Sequence, residues 1–391
     1  MDTLIIVILS GPHERINCPI TKVLDKDYKL EGVIWFFDEE RETWVPADAW
    51  TTEDEKTEIA MVIPYMHEYQ ELELEYNSEG PEWKDMLLND LPVQLNKKGE
   101  QEIEVKVRND KLTSLHFNDA ERPYLYPLFG PQGQGMTRNF PCKEIKGETN
   151  DHPHHRSVWT AYGEIAEVDH WSVGGMHGFI KAIEEPKASS GVAAGRVVMY
   201  NTWKNKFNDL EESLDERREI RFLNLRRGHQ AIDFEIKLMA KHGDVLFGDT
   251  KEGGFLSVRV PTEMDGNKGG LIENCFGAKT EAECWGKSAP WCDYSGKVKG
   301  FNVGMAIMEH PTSFKYPTYW HVRDYGLFSA NPFGLSYFTK GKLNGDYLLK
   351  DGESITFKYR LLIHSGDAKI GKVAERYLDY ISPPDVKVLN F

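Results

Sequence analysis

The densest group of acid–base residues in the sequence is the run Asp151–Arg156, which reads Asp-His-Pro-His-His-Arg. Histidine exchanges protons near neutral pH and is also a common metal ligand. Three histidines in four positions, beside an aspartate and an arginine, therefore favour a functional site over a solvated loop. Because the run leads into an apolar strand, alternation predicts that His152 and His154 point to one side and His155 to the other.

A second polar segment, Tyr319–Tyr325, alternates in the manner of a strand and is followed by Asn331. Alternation predicts that His321 and Arg323 share a face with tyrosine side chains, while Asp324 takes the opposite face with its apolar neighbours. Such a face can bind a hydroxylated or anionic group through charge-assisted hydrogen bonds. A structural Arg–Asp pair is the alternative interpretation.

A third segment, Gly248–Gly254, holds Asp249, Lys251 and Glu252 between glycines that let a backbone approach a ligand closely. A lysine beside two carboxylates can tune their pKa values for acid–base work, although an ordinary charged hairpin turn would have the same composition.

Tryptophan and lysine occur together in a fourth segment, Glu283–Tyr294, at Trp285, Lys287 and Trp291. Indole faces suit the C–H faces of sugars while polar neighbours bind the hydroxyls. The two cysteines of this segment, Cys284 and Cys292, are predicted to be buried core residues. We expect the four segments to line one concave site.

Composition and motifs exclude several classes of function. A net charge of -15 disfavours binding to nucleic acid or to an anionic membrane. The zincin, serine-hydrolase and dinucleotide motifs do not occur, so no nucleotide cofactor is expected. Five cysteines without a C-x-x-C pair indicate a reducing compartment. The first apolar run, Leu4–Leu9, is too short for a signal or a membrane span, so we expect a cytoplasmic protein, or a periplasmic one if a leader had been removed.

Hydrophobic residues alternate with polar ones through most of the chain, as in Ile232–Leu238 and Ile355–Ile363. This pattern predicts half-buried antiparallel strands. Helical spacing is clear once, over Ile370–Ile381, ahead of two prolines. The sequence therefore predicts an all-β protein: a small β-sandwich over residues 1–98, a linker around Asn96–Gln101, and a large antiparallel β-sandwich with a C-terminal helix over residues 99–391.

Several runs resemble the poorly characterised bacterial family labelled "methane oxygenase PmoA", and the similarity extends over nearly the whole chain. The label implies a membrane copper oxygenase subunit, whereas this sequence has no apolar stretch that could span a bilayer. The resemblance also implies sugar processing, because such proteins are found among carbohydrate-catabolism genes, near oxidoreductases that act on sugars. We expect a large sandwich of the galactose-mutarotase-like kind. The runs are Gly11–Ile16, Arg122–Leu128, Asp151–Trp159, Gly248–Gly254, Trp320–Leu327 and Ala330–Gly334.

These patterns together predict a carbohydrate-active enzyme that cleaves a small glycoside as a hydrolase or lyase, with oxidised (keto) glycosides as one candidate substrate. His154, His155 and His321 would be acid–base groups, Glu252 or Asp249 would be the base, and three cations would stabilise an oxyanion. The cations are Arg156, Lys287 and Arg323, and the other expected substrate contacts are Tyr126, Trp159, Trp285, Trp291, Asp324 and Asn331.

A sugar epimerase (mutarotase) and a non-catalytic glycan-binding protein are alternatives to this function. A mutarotase would exchange anomers without breaking a glycosidic bond, whereas a binding protein would turn nothing over. One divalent metal ion could be held by His152, His154 and His321, since imidazole suits zinc, copper, iron and nickel. Neutral histidines and carboxylates can also act on sugars without a metal.

Overall fold

Antiparallel β-strands dominate the computed structural model, which describes residues 4–25, 28–175, 177–205, 212–225 and 228–390. The predicted all-β class is confirmed, and the alternating runs Ile232–Leu238 and Ile355–Ile363 lie in paired strands. The first part of the chain contains β1 (Leu4–Leu9), β2 (Arg15–Val23), β3 (Gly32–Asp38), β4 (Thr43–Thr51), β5 (Thr57–Met66), β6 (Glu71–Tyr76) and the short helix α1 (Lys84–Asn89).

In the middle of the chain, every regular element of the described residues is a strand, and two long loops follow β10 and β11. These strands are β7 (Val93–Lys98), β8 (Glu102–Val107), β9 (Asp110–His116), β10 (Tyr124–Leu125), β11 (Val158–Tyr162), β12 (Phe179–Ala182), β13 (Lys187–Ser189), β14 (Ala194–Lys204), β15 (Glu212–Leu223) and β16 (His229–Met239).

The last part of the chain adds ten strands and three short helices, and the helix predicted near the C-terminus is confirmed as α4. The elements are β17 (Val245–Phe247), β18 (Gly253–Arg259), β19 (Leu271–Asn274), α2 (Thr280–Cys284), β20 (Trp291–Val298), β21 (Phe301–Glu309), β22 (Tyr319–Val322), β23 (Leu327–Asn331), α3 (Leu335–Phe338), β24 (Tyr347–Leu349), β25 (Ser354–Ser365), α4 (Val373–Ile381) and β26 (Asp385–Asn390), with single 3-10 turns at Thr262–Met264 and Gly266–Lys268.

Two large sheets form the sandwich that was predicted for the major part of the chain. The eight-stranded sheet has the order β22-β23-β18-β11-β10-β9-β8-β7, and the nine-stranded sheet has the order β12-β14-β15-β16-β25-β21-β20-β19, with β13 pairing with β14. Side chains from both sheets, such as Val158 and Phe234, belong to one hydrophobic core. β17 and β24 form a separate two-stranded sheet.

The first part of the chain forms one seven-stranded sheet of order β2-β5-β4-β3-β6-β1-β26, with a hydrophobic core of its own. Sheet pairing corrects the predicted boundary in two places. The expected linker at Asn96–Gln101 is a hairpin, because β7 pairs with β8 at the edge of the eight-stranded sheet. The sequence predicted a linker here because the segment is polar, but lysines are also common on exposed edge strands such as β7. In addition, β26 returns to pair with β1, so the last residues belong to the first sheet.

None of the helices in the described ranges is both long enough and apolar enough to cross a membrane.

A buried carboxylate connects the seven-stranded sheet with the nine-stranded sheet. Asp48 on β4 accepts hydrogen bonds from the backbone N–H groups of Val192, Ala193 and Ala194, at 2.8, 2.8 and 3.0 Å. Asp48 and the three donor residues are buried, so water cannot replace the carboxylate as the acceptor of these hydrogen bonds.

Replacing this carboxylate should destabilise the protein. We expect Asp48→Ala to lower the free energy of unfolding by about 3 kcal/mol, because it leaves buried N–H groups without an acceptor. Chemical denaturation followed by tryptophan fluorescence measures this. Asp54→Ala, at an exposed position, is the control and should have little effect. Equal stability of both variants would show that Asp48 does not hold the two sheets together.

Candidate functional site

The residues of interest lie on the face of the eight-stranded sheet that points away from the main core. Directly opposed pairs run across six neighbouring strands of this face and form one row. Its members are His116, Tyr124, Trp159, Ser257, Ser329 and His321. Adjacent strands lie about 4.8 Å apart, so the backbone positions of Trp159 and His321 are roughly 14 Å apart.

The histidine run does not extend the strand, as alternation predicted, but forms a tight turn. The backbone N–H of His155 donates to the carbonyl of His152 at 3.0 Å, and Pro153 lies at the second position of the turn, where proline is favoured. The three imidazoles consequently pack together instead of pointing to opposite sides. His152 and His155 stack at 4.8 Å between ring centroids, and His154 meets His155 edge-on at 4.4 Å.

Two tryptophans enclose His155. Its ring lies 5.2 Å from Trp159 on β11 and 5.5 Å from Trp171 in the loop 163–178, and the two indoles are 5.4 Å apart. The backbone of Trp171 is held in place from both sides: its N–H donates to Asp169 at 2.7 Å and its carbonyl accepts from Arg122 at 2.6 Å. Trp171 was not among the expected site residues, and no local pattern in its loop indicated it.

Two fully buried arginines converge on the same turn. Arg259 at the end of β18 donates to Nδ1 of His155 at 2.9 Å and to the Asp151 carboxylate at 2.7 Å. Arg138 in the loop 126–157 contacts the same carboxylate and donates to the carbonyl of His152 at 3.1 Å. Sequence reasoning missed both arginines, although Arg259 is a conspicuous charge in the apolar strand Gly253–Arg259.

The electrostatic surroundings of these histidines favour their neutral forms. The pKa of His154 is lowered to about 4, chiefly by burial and in addition by the nearby charges of Arg122 and His152. Burial also lowers the pKa of His155 well below its usual value, assisted by His154 and Arg259. Imidazoles that stay neutral can accept or donate hydrogen bonds throughout the physiological range.

His321 lies at the other end of the row and is 2% exposed. Neither of its ring nitrogens makes a hydrogen bond, although the backbone of Lys251 lies beside the ring. Burial lowers its pKa to about 3, and the charges of Lys251 and Arg323 act in the same direction. The adjacent Trp320 and Val322 belong to the main core, so the predicted alternation is confirmed over Tyr319–Val322, whereas Asp324 lies beyond the strand, exposed in a turn.

Tyr325 connects the histidine turn with the Tyr319–Tyr325 segment. Its ring stacks on His152 at 4.9 Å, and the guanidinium groups of Arg259 and Arg323 lie 5.0 and 5.4 Å from its centroid. Arg323 itself pairs with Glu281 at 2.9 Å. The histidine turn and the Tyr319–Tyr325 segment therefore belong to one cluster.

The loop after β17 carries Lys251 and Glu252, whose side chains contact each other as an ion pair. Glu252 is partly exposed, and its charge reaches Tyr325. Asn331 positions this loop: its amide donates to the carbonyls of Thr250 and Lys251 at 3.0 and 3.1 Å, and its oxygen accepts two backbone N–H groups. The amide is thereby fully used within the protein, which contradicts the expected substrate contact.

Asp249 is likewise structural rather than a free base. Its carboxylate accepts the backbone N–H groups of Ser336 and Gly345, at 2.9 and 2.7 Å, and so fixes the start of α3 and the loop that follows. Of the two carboxylates proposed as the base, the structure leaves Glu252 as the available one.

The Trp285 segment is only partly connected with the cluster. Trp285 meets Phe338 edge-on at 5.4 Å, and Phe338 lies 6.2 Å from His321. Trp291 points elsewhere: it packs with Ala194 and other residues in a separate hydrophobic cluster, which corrects its assignment as a sugar contact. The cysteines at 284 and 292 are buried, as expected.

The remaining expected contacts lie at the margins of the cluster. Lys287 and Asp324 are exposed, and Asp324 forms part of the turn between β22 and β23. Arg156 pairs with Glu121 at 3.2 Å. Tyr126 is linked by its hydroxyl to Asn139 at 2.8 Å, and it packs against the aromatic cluster that contains Trp159 and Trp171.

The expected metal candidates do not form a coordination set. Over the described residues, the only three side chains with ligand atoms within 4.8 Å of one another are Glu212, Asp215 and His242. These are surface groups that also pair with Lys204 and Lys241. His152, His154 and His321 are not such a group, so these three residues do not fit a shared ion, and a divalent cofactor stays a prediction.

Comparison with known proteins assigns the chain to a family but not to an activity. Residues 102–378 match the model of a family of unknown function, DUF6807, and the chain belongs to this family. No curated protein matches the chain. The resemblance to the methane oxygenase label stays a prediction.

Among 36 matching chains of solved structures is a galactose 1-epimerase from Lactobacillus acidophilus NCFM. It is 8% identical, the match covers 71% of this chain and all of the other, and the TM-score is 0.34. A likeness at this level carries no argument about function.

The depressed pKa values predict how stability changes with pH. Below about 6.5 the unfolded chain takes up protons on these imidazoles, whereas the folded protein does not, so stability should fall as the pH is lowered towards 4. For His321 alone, the loss between pH 6.5 and 5 should be roughly 1–2 kcal/mol. Chemical denaturation across this pH range measures it.

His321→Asn should therefore flatten the acid loss of stability, whereas His67→Asn, at an exposed position, should leave it unchanged. If both variants lose stability with acid as steeply as the parent protein does, His321 is not held neutral by burial.

Proposed function

We propose that this protein is an acid–base enzyme that cleaves a glycoside, with its reaction centre between the histidine turn and His321. The observation that carries the proposal is the combination of buried imidazoles, whose pKa values are far below 6.5, with fixed cations. Neutral imidazoles can polarise a substrate oxygen through a hydrogen bond at neutral pH, while Arg259 and Arg323 can stabilise an oxygen that gains negative charge.

An oxidised (keto) glycoside would use these groups most directly. A base removes the proton from the carbon beside the carbonyl, and the electron pair becomes an enolate whose oxygen the cations stabilise. When the carbonyl re-forms, the electron pair forms a C=C bond and the C–O bond to the aglycone breaks. The departing oxygen then takes a proton from an acid. Glu252 is the available carboxylate for the first step and, once protonated, it can supply the proton that the departing oxygen takes.

A mutarotase remains the second candidate, because the same residues supply what ring opening and closure need. One acid and one base suffice to move a proton from the anomeric hydroxyl to the ring oxygen, and no other bond has to break. A carboxylate can take both parts, since it accepts the hydroxyl proton and then returns it to the ring oxygen, and Glu252 is the available one.

A direct assay separates the candidates. An aryl glucoside, its 3-oxidised form and free α-D-glucose and α-D-galactose are each incubated with the protein, while aryl release is followed by absorbance and anomer exchange by polarimetry. Release of the aryl group, fastest from the oxidised form, supports cleavage. Faster anomer exchange without release supports the mutarotase. Binding without either change would mean a glycan-binding protein.

Glu252→Gln tests the role of the carboxylate. The amide keeps the shape and hydrogen bonding but cannot accept the proton, so we expect turnover to fall about 10²–10⁴-fold while sugar affinity survives. Turnover and binding constant are measured on the substrate that the assay identifies. The melting temperature should hardly change, because Glu252 lies in a partly exposed loop.

Glu353→Gln is the matched control, since Glu353 is an exposed carboxylate at a turn ahead of β25. Equal turnover in the two variants would remove Glu252 from the mechanism. A large drop in the melting temperature of Glu252→Gln would instead mean that the carboxylate is structural.

A further inference from the structure

We propose that Arg259 is a positioning residue that keeps the proton of His155 on Nε2, so that His155 acts as a hydrogen-bond donor to a substrate oxygen and not as a base. This inference rests on the proposed function and deepens it, because it assigns His155 the role of a donor and leaves the base to another group of the same site. It depends on one hydrogen bond and on what surrounds it.

The hydrogen bond determines the tautomer. A guanidinium group has only N–H donors, so in the contact of 2.9 Å between Arg259 and His155 the imidazole nitrogen Nδ1 must accept. A neutral imidazole carries a single proton, which then has to reside on Nε2. Arg259 cannot turn away from this contact easily, because it is fully buried and also donates to Asp151 at 2.7 Å.

The charges around His155 oppose a second proton on the ring. Arg259 and Arg138 are both buried and share the single carboxylate of Asp151. Asp265 and Glu148 also act on these arginines, but the guanidinium of Arg259 is the charge directly beside Nδ1, where an added proton would have to displace its hydrogen bond. Protonated imidazole is therefore disfavoured, as the strongly lowered pKa of His155 indicates. His155 cannot take up the proton that a base must accept.

The neighbouring groups present N–H donors as well. The indole nitrogens of Trp159 and Trp171, whose rings enclose His155, are buried and have no hydrogen-bond partner. Nε2 of His155 makes no hydrogen bond to any residue that the structure describes. A substrate group that meets these donors has to offer lone pairs, as a carbonyl oxygen or an enolate oxygen does.

The consequence is a division of roles within the site. His155 polarises the oxygen on which negative charge develops, as a neutral imidazole can do, because complete loss of its Nε2 proton would create a costly imidazolate. The proton that the leaving oxygen needs then comes from Glu252, which took it from the substrate carbon in the first step. His154, which touches His155 at 4.4 Å between ring centroids, also stays neutral at pH 7 and has no second proton to give up.

Nitrogen-15 NMR of the imidazoles tests the inference without any substrate. In the parent protein at pH 7, the spectrum should show His155 with a protonated Nε2 and an unprotonated Nδ1, and this pattern should persist down to pH 5. The signals are assigned through a His155→Gln variant. A proton on Nδ1, or titration of His155 between pH 5 and 7, would overturn the proposal.

Arg259→Gln and Arg323→Gln form a matched pair. Both remove one positive charge beside Tyr325, but only Arg259 is bonded to His155. Arg259→Gln should allow the other tautomer and shift the titration of His155 towards neutral pH, whereas Arg323→Gln should leave the tautomer unchanged. Equal changes in both variants would show that charge alone, not the hydrogen bond, determines the tautomer, and would overturn the positioning role.

Two additional results keep the test decisive. Lysine has donors only, whereas the glutamine amide can also accept from Nδ1, so Arg259→Lys should restore the Nε2 tautomer if Arg259→Gln loses it. If Arg259→Gln does not fold, the spectrum of the parent protein still shows which nitrogen of His155 carries the proton. Failure of the proposed function is distinguishable, because a protein without turnover on any sugar can still show the Nε2 tautomer, while an active enzyme with a proton on Nδ1 would retain the function and lose this inference.

Discussion

The carboxylate of Asp151 is the interaction on which the candidate site depends, since it compensates two arginines that have no access to solvent. Burying a guanidinium without a partner is costly, so Arg138 and Arg259 can lie under the histidine turn only because Asp151 pairs with both. Arg138 in turn binds the carbonyl of His152, and Arg259 binds the ring of His155. One carboxylate thus determines the shape of the turn and the electrostatic field at its imidazoles.

The sheet beneath supplies the second constraint. Its inner face packs in the main core, so the histidines of these strands lie on the outer face, and antiparallel register brings His321 and Trp159 into the same row. Two hydroxyls separate them: those of Ser257 and Ser329, which hydrogen bond to each other at 2.7 Å. The loops that cover this face provide the histidine turn and Trp171. Rigid strands therefore carry one end of the site, whereas loops fixed by buried ion pairs and hydrogen bonds carry the other.

The sequence predicted much of this site but misjudged how some residues are used. Alternation identified the all-β class and placed His321 on the outer face, because burial of one sheet face imposes a period of two on any strand. It failed at His152–His155, where proline and a backbone hydrogen bond make a turn. Asp249 and Asn331 looked like binding residues because polar side chains in glycine-rich loops resemble ligands, yet both are consumed by backbone groups.

By itself, then, the sequence determined the strands, the two-sheet architecture and the segments rich in acid–base groups, since these follow from local patterns of burial and composition. Only the tertiary structure decided which of those groups meet. Arg259 reaches His155 across 104 residues, and the ring of Tyr325 links two segments that no periodicity relates. Such contacts depend on sheet register and on the paths of long loops. Both result from the packing of the whole chain and leave no trace in any single stretch of residues.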